Sequence, residues 1–133
     1  MRVFSFQSFN ENNYKEKLYF AHPTSTYETK YETICISIIK EYGFDVLNPG
    51  EKAQQEDFKR FRENNPIDYM KYFKFLVNTC NGLAYLPFSD GKIGAGIKYE
   101  AEISHKNGGD IYEIDMKMRK MFKVSIEHVL NNH

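Results

Sequence analysis

The chain has 133 residues with 18 Lys+Arg against 18 Asp+Glu, a size at which a single domain (1–133) buries a core without disulfide or metal staples. Balanced charge lacks the basic footprint of a nucleic-acid binder, so no nucleic-acid partner is expected. No apolar run reaches the roughly 18 residues of a membrane span, so no membrane partner is expected either. Cys35 and Cys80 both lie in apolar stretches and read as small buried hydrophobes. With no signal-peptide core at the start, they point to a reducing, cytoplasmic setting. His22, His105, His128 and His133 are scattered without ligand spacing, so neither a metal nor another cofactor is expected. Aromatic content is high, with 10 Tyr and 11 Phe, and part of that tyrosine is available to furnish hydroxyls for a pocket.

Val3, Phe4 and Phe6 suggest an edge strand, followed by a polar loop over residues 10–13. Lys17-Leu18-Tyr19-Phe20-Ala21 is the first clear strand, and Pro23 holds His22 extended, so a helix is expected to begin just after it. The stripe Tyr31, Ile34, Cys35, Ile38, Ile39 and Tyr42 defines that helix, and Gly43 stops it. Phe44-Asp45-Val46-Leu47 is a second strand, which makes a right-handed βαβ unit with parallel strands. Residues 51–64 are densely charged, a solvated helix or a flap. Pro66 is expected to open a further helix with Ile67, Met70, Phe73, Leu76, Val77 and Cys80 facing the core.

Residues 83–109 are the centre of the chain. Leu83-Ala84-Tyr85-Leu86-Pro87-Phe88 reads as a buried strand and Ser89-Asp90-Gly91 as a turn. Gly94 and Gly96 then lead into a helix over residues 97–107, stopped by Gly108 and Gly109. Ile111-Tyr112-Glu113-Ile114 is a fourth strand. Residues 116–124 alternate Met with Lys/Arg like a hairpin edge or an interface, and Ser125 caps a short final helix to Leu130. The order βα-βαα-βα-β predicts a three-layer α/β domain of flavodoxin or Rossmann type, with a mainly parallel sheet of four or five strands.

In such folds ligands sit beyond the carboxyl ends of the strands, against helix N-termini. Tyr19, His22 and Glu100 occupy equivalent places in two βα units and should converge if their strands are neighbours. A carboxylate, a phenol and an imidazole suit cleavage of a glycosidic bond. Each has a plainer alternative. Glu100 also reads as a solvated helix residue, as Glu102 does, and Tyr19 as core. His22 reads as a helix cap or backbone partner, and Gly94, Gly96 and Asp90 as turn residues. As an exposed or half-exposed residue, Glu100 should accept Glu100→Gln with a stability change within about 0.5 kcal/mol.

Three motifs carry a resemblance: Tyr19-Phe20-Ala21-His22-Pro23, Gly82-Leu83-Ala84-Tyr85-Leu86-Pro87, and Gly96-Ile97-Lys98-Tyr99-Glu100. Together they resemble the nucleoside 2-deoxyribosyltransferase-like superfamily, which includes nucleoside monophosphate N-glycosidases. That family carries a G-x-x-x-E element at the helix after the third strand, matched by Gly96 and Glu100, and a glycine before the next strand, matched by Gly108. The resemblance implies that Glu100 is the nucleophile and that Tyr19 holds it. It covers roughly residues 17–114. Asp68 stands near the family's aspartate before the third strand, and Asp90 lies in the loop after that strand.

The expected function is hydrolysis or base exchange at the N-glycosidic bond of a nucleoside or nucleoside monophosphate, with net retention. His22, Asp90, Asp68 and the backbone around Gly94, Gly96 and Ile97 are the candidates for substrate binding. The resemblance also implies a homodimer. The alternative is a non-catalytic module that senses or sequesters a nucleotide or an ADP-ribose-like ligand in the same crevice.

Overall fold

A computed structural model of the chain describes residues 15–132. The suggested edge strand at Val3, Phe4 and Phe6 lies outside that range. Among the described residues five strands form one sheet: β1 (Lys17–Ala21), β2 (Asp45–Leu47), β3 (Gly82–Tyr85), β4 (Asp110–Asp115) and β5 (Lys120–Val124). Their order across the sheet is β2-β1-β3-β4-β5. The first four run parallel, with Tyr19 opposite Leu47 on one side and Leu83 on the other. Only β5 is antiparallel, the return arm of a hairpin with β4. This is the doubly wound order of flavodoxin-like sheets with an antiparallel edge added.

β1 and β3 read as unbroken apolar runs because both of their faces are covered. On one face Leu18, Phe20 and Ala84 pack with Ile114 and Met121 beneath helix α1 (Lys30–Glu41), which contributes Cys35, Ile38 and Ile39. On the other, Tyr19, Ala21, Leu83, Tyr85 and Ile111 receive α3 (Lys71–Asn78), α4 (Ala95–Lys106) and α5 (Ile126–Leu130). Each large side chain buried in these layers contributes about 1.5–3 kcal/mol. The result is the expected three-layer α/β arrangement.

Helix α2 (Lys52–Asn64) has no buried residue. It leans on α3 through Phe58, whose ring lies 5.5 Å from that of Tyr72 and 4.6 Å from that of Phe73. Two helices start later than the prolines before them suggest. After Pro23 the chain makes a 3-10 turn over Thr24–Thr26 and enters α1 only at Lys30, with Glu28 in the left-handed region at φ 59°. After Pro66 it runs through turns and enters α3 at Lys71. Ile67, expected in the core, is therefore 90% exposed, and Met70 is also exposed. Tyr31 and Tyr42, at the two ends of the α1 stripe, are exposed too, while Glu32 is buried. The remaining boundaries follow their signals closely. Gly43 and Gly108 take the positive φ that ends α1 and α4, and the Ser125 hydroxyl accepts from the His128 amide at the start of α5.

Candidate functional site

Parallel pairing of β1 with β3 places the helix that follows β3 directly over Tyr19. Helix α4 starts after Gly94, an extended N-cap residue, and turns Ile97, Glu100, Ala101, Ile103 and Ser104 toward the sheet. Glu100 is thus the one carboxylate on a sheet-facing stripe otherwise made of Ile, Ala and Ser side chains. Tyr19 donates its hydroxyl to Glu100 Oε2 at 2.5 Å, across 81 residues of chain. The geometric meeting expected of these two side chains is present.

Burial pushes the Glu100 carboxyl up to about 7, and the Tyr19 hydrogen bond works against that rise. The Tyr19 phenol is lifted well above its ordinary value, first by burial and then by the charge and hydrogen bond of Glu100. Tyr19 therefore remains a donor at any ordinary pH, while Glu100 changes charge near neutrality. Glu100 is 9% exposed. Its Oε1 makes no hydrogen bond among the described residues, and no fully buried side-chain oxygen or nitrogen there lacks a partner. Oε1 is therefore the atom of this carboxylate that keeps some access to the outside. Tyr27 stands close enough for its phenol to be raised by burial, then by the charges of Glu100 and Glu32.

His22 belongs to a second buried group. Its ring stacks on Phe20 at 3.7 Å, and Tyr27 lies 4.8 Å away. Nδ1 lies 2.9 Å from the Phe20 carbonyl oxygen and Nε2 2.8 Å from Glu32 Oε2. Both ring nitrogens face oxygen acceptors, so a proton must lie between Nε2 and Oε2 whichever partner formally holds it. Burial alone drives His22 toward the neutral form, opposed by Glu32 and by the Phe20 carbonyl. With both nitrogens engaged, His22 presents no donor to a phosphate here. It ties β1 to α1 through Glu32. Gly50, in the loop after β2, closes over this group: a Cβ there would stand 2.2 Å from Glu32 Oε2 and 2.8 Å from the Tyr27 ring.

A cavity of about 710 Å³ opens where the chain reverses direction between β1 and β3, the switch point at which doubly wound folds take ligands. Its walls come from Pro23, Ser25 and Thr26 after β1, residues 86–89 after β3, and the end of β4 with its hairpin. None of the candidate residues named from the sequence lines it. Glu100 and Tyr19 lie under helix α4, whereas Leu86, Ile114 and Met116 of the cavity wall belong to the layer beneath α1. Asp90 accepts from the Lys92 amide at 3.0 Å and closes an exposed turn. Asp68 is exposed and pairs with Lys71 at 3.7 Å. Ile97 is core. A Cβ at Gly94 would stand 3.4 Å from the Phe88 ring, and Gly96 faces open space at the first turn of α4, where amides are free.

The motifs leave out Glu113, which lines the cavity and accepts from Tyr85 and His128, and the Tyr27–Glu32 pair beside the main site. One signal for Glu113 was available: it shares a strand face with the apolar Ile111, so it had to be a carboxylate on a covered face. Among the described residues, no group of three His, Cys, Asp or Glu side chains is placed to hold a metal ion. No helix there is long and apolar enough to cross a membrane. No family model, no curated protein and no solved structure matches the chain.

Proposed function

We propose that the protein cleaves or exchanges the N-glycosidic bond of a nucleoside or nucleoside monophosphate, with Glu100 as the nucleophile. One observation carries the reading: a carboxylate on the helix after β3 is aimed by a buried tyrosine of β1, with its second oxygen left unbonded. In the first step Oε1 of ionised Glu100 attacks C1′ as the bond to the base breaks, and the base leaves with the bonding electrons and takes up a proton. The glycosyl ester so formed is then opened at C1′ by water or by a second base, which returns the carboxylate. Two inversions give net retention. Tyr19 donates to Oε2, which favours the ionised form and fixes the rotamer. With the carboxyl near 7, the ionised fraction and the turnover should rise with pH through neutrality.

The test is incubation with a panel of nucleosides, nucleotides and NAD, reading free base by chromatography. Wild type should release base from at least one class, and Glu100→Gln should lower the rate by orders of magnitude while ligand binding survives. Trapping with a slow substrate should label the peptide that contains Glu100. Retained activity in Glu100→Gln, or an adduct on Glu102 or Asp90, overturns the assignment. A second reading, a module that binds a nucleotide or ADP-ribose-like ligand without turnover, is favoured by the absence of Glu100 from the cavity wall. Binding with no base released from any ligand would establish it.

A further inference from the structure

We propose that the cavity at the β1–β3 switch point seats the base, and that Glu113 selects bases carrying an exocyclic amino group. The inference rests on the nucleoside reading above for its ligand class. The volume, about 710 Å³, falls in the range of small-molecule sites. Two aromatic rings that line the cavity remain open to solvent, Phe88 at 46% and Tyr31 at 44%. They come from different elements, the loop after β3 and helix α1, and they offer flat surfaces on which a heteroaromatic base can stack.

Glu113 supplies the polar group. It lies opposite Tyr85 in the sheet, and its Oε1 accepts from the Tyr85 hydroxyl at 2.6 Å and from His128 Nε2 at 3.0 Å. Both acceptor positions of Oε1 are thereby filled. Oε2 makes no hydrogen bond among the described residues, and Glu113 is among the residues that line the cavity. The neighbouring carboxylate, Asp115, also lines the cavity and accepts the Met118 amide of the hairpin turn through Oδ1. An ionised carboxylate oxygen accepts N–H donors and repels carbonyl oxygens. It therefore favours cytosine over uracil and adenine over hypoxanthine, pairs that differ by amino against oxo.

Titration calorimetry on the full chain carrying Glu100→Gln, which stops turnover, tests the proposal with deoxycytidine against deoxyuridine and deoxyadenosine against deoxyinosine. The amino member of each pair should bind at least about tenfold tighter, as for a hydrogen bond to a charged group. Adding Glu113→Gln should reverse the preference. Tyr85 and His128 both donate, so they hold the amide oxygen in the place of Oε1 and leave the NH₂ facing the cavity. Glu113→Asp keeps the charge but shortens the reach, and should weaken the amino member without reversing the order. Phe88→Ala should weaken both members by a similar factor. Circular dichroism confirms that each variant is folded. Equal affinities within the pairs, or a preference unchanged by Glu113→Gln, overturn the proposal. Base release by wild type is scored separately. Preference without release overturns the Glu100 mechanism alone, and release without preference overturns the base assignment alone.

Discussion

Replacing Glu100 by glutamine separates what its charge costs the fold from what it does in chemistry. The carboxyl is buried under α4, and its value is lifted from 4.5 to about 7 mainly by that burial. A carboxyl raised in the folded state contributes its full stability below 4.5 and loses it as pH climbs to about 7, because the unfolded chain ionises first. At about 1.4 kcal/mol for each pK unit, the loss amounts to about 3 kcal/mol above neutrality. Glu100→Gln escapes it: the amide does not ionise, and its carbonyl oxygen still accepts from Tyr19. Guanidinium unfolding of both proteins from about pH 4 to about pH 8 should give curves that coincide at the acid end and diverge toward the alkaline end. There the variant should be the more stable by about 3 kcal/mol, on the order of 10 °C in Tm. The near-neutral effect expected of an exposed Glu100 does not apply, because the residue is buried. A difference that stays flat across this pH range, or a variant less stable at the alkaline end, would refute the electrostatic account.

Tyr19→Phe should move the Glu100 carboxyl above about 7, since the lost hydrogen bond is what holds it down. Carboxyl NMR titration reads that shift, and unfolding should show a loss of about 1–2 kcal/mol from the buried acceptor left behind. Gly50→Ala should cost roughly 1–3 kcal/mol in guanidinium unfolding, because its Cβ collides with Glu32 Oε2 and the Tyr27 ring. Gly96→Ala, whose Cβ meets nothing within 4 Å, should instead stabilise by about 0.4–1 kcal/mol. If monophosphate binding at this turn is real, the same change should weaken it.

The fold was legible where one physical signal dominated. Continuous apolar runs at Leu18 and Leu83 marked the two central strands, glycines marked the helix ends at 43 and 108, and Ser125 marked the final cap. Tyr19 and Glu100 were legible because equivalent ends of neighbouring parallel strands must lie close together. Pro23 and Pro66 misled because proline fixes its own φ without saying how many residues of turn follow. Ile67 looked like core only while α3 was extended back to it. His22 looked available because a sequence does not show that Glu32, ten residues on, returns to occupy its second nitrogen. Glu113 was passed over because its partners, Tyr85 and His128, come from separate elements joined only by the sheet and the last helix.

The separation of 81 positions between Tyr19 and Glu100 also bears on the order in which the molecule assembles. The βαβ unit of β1, α1 and β2 forms from contacts close along the chain. The pairing of Leu18 with Gly82 must instead close a long loop before any contact repays the entropy. Until that closure Tyr19 has no acceptor and Glu100 is an ordinary ionised side chain on a solvated helix. The carboxyl takes up its unusual proton affinity only as the central strands join, so proton uptake on refolding near neutral pH reports the late, long-range step. A chain halted before it would carry a half-formed sheet, an exposed β1 edge and no site at all.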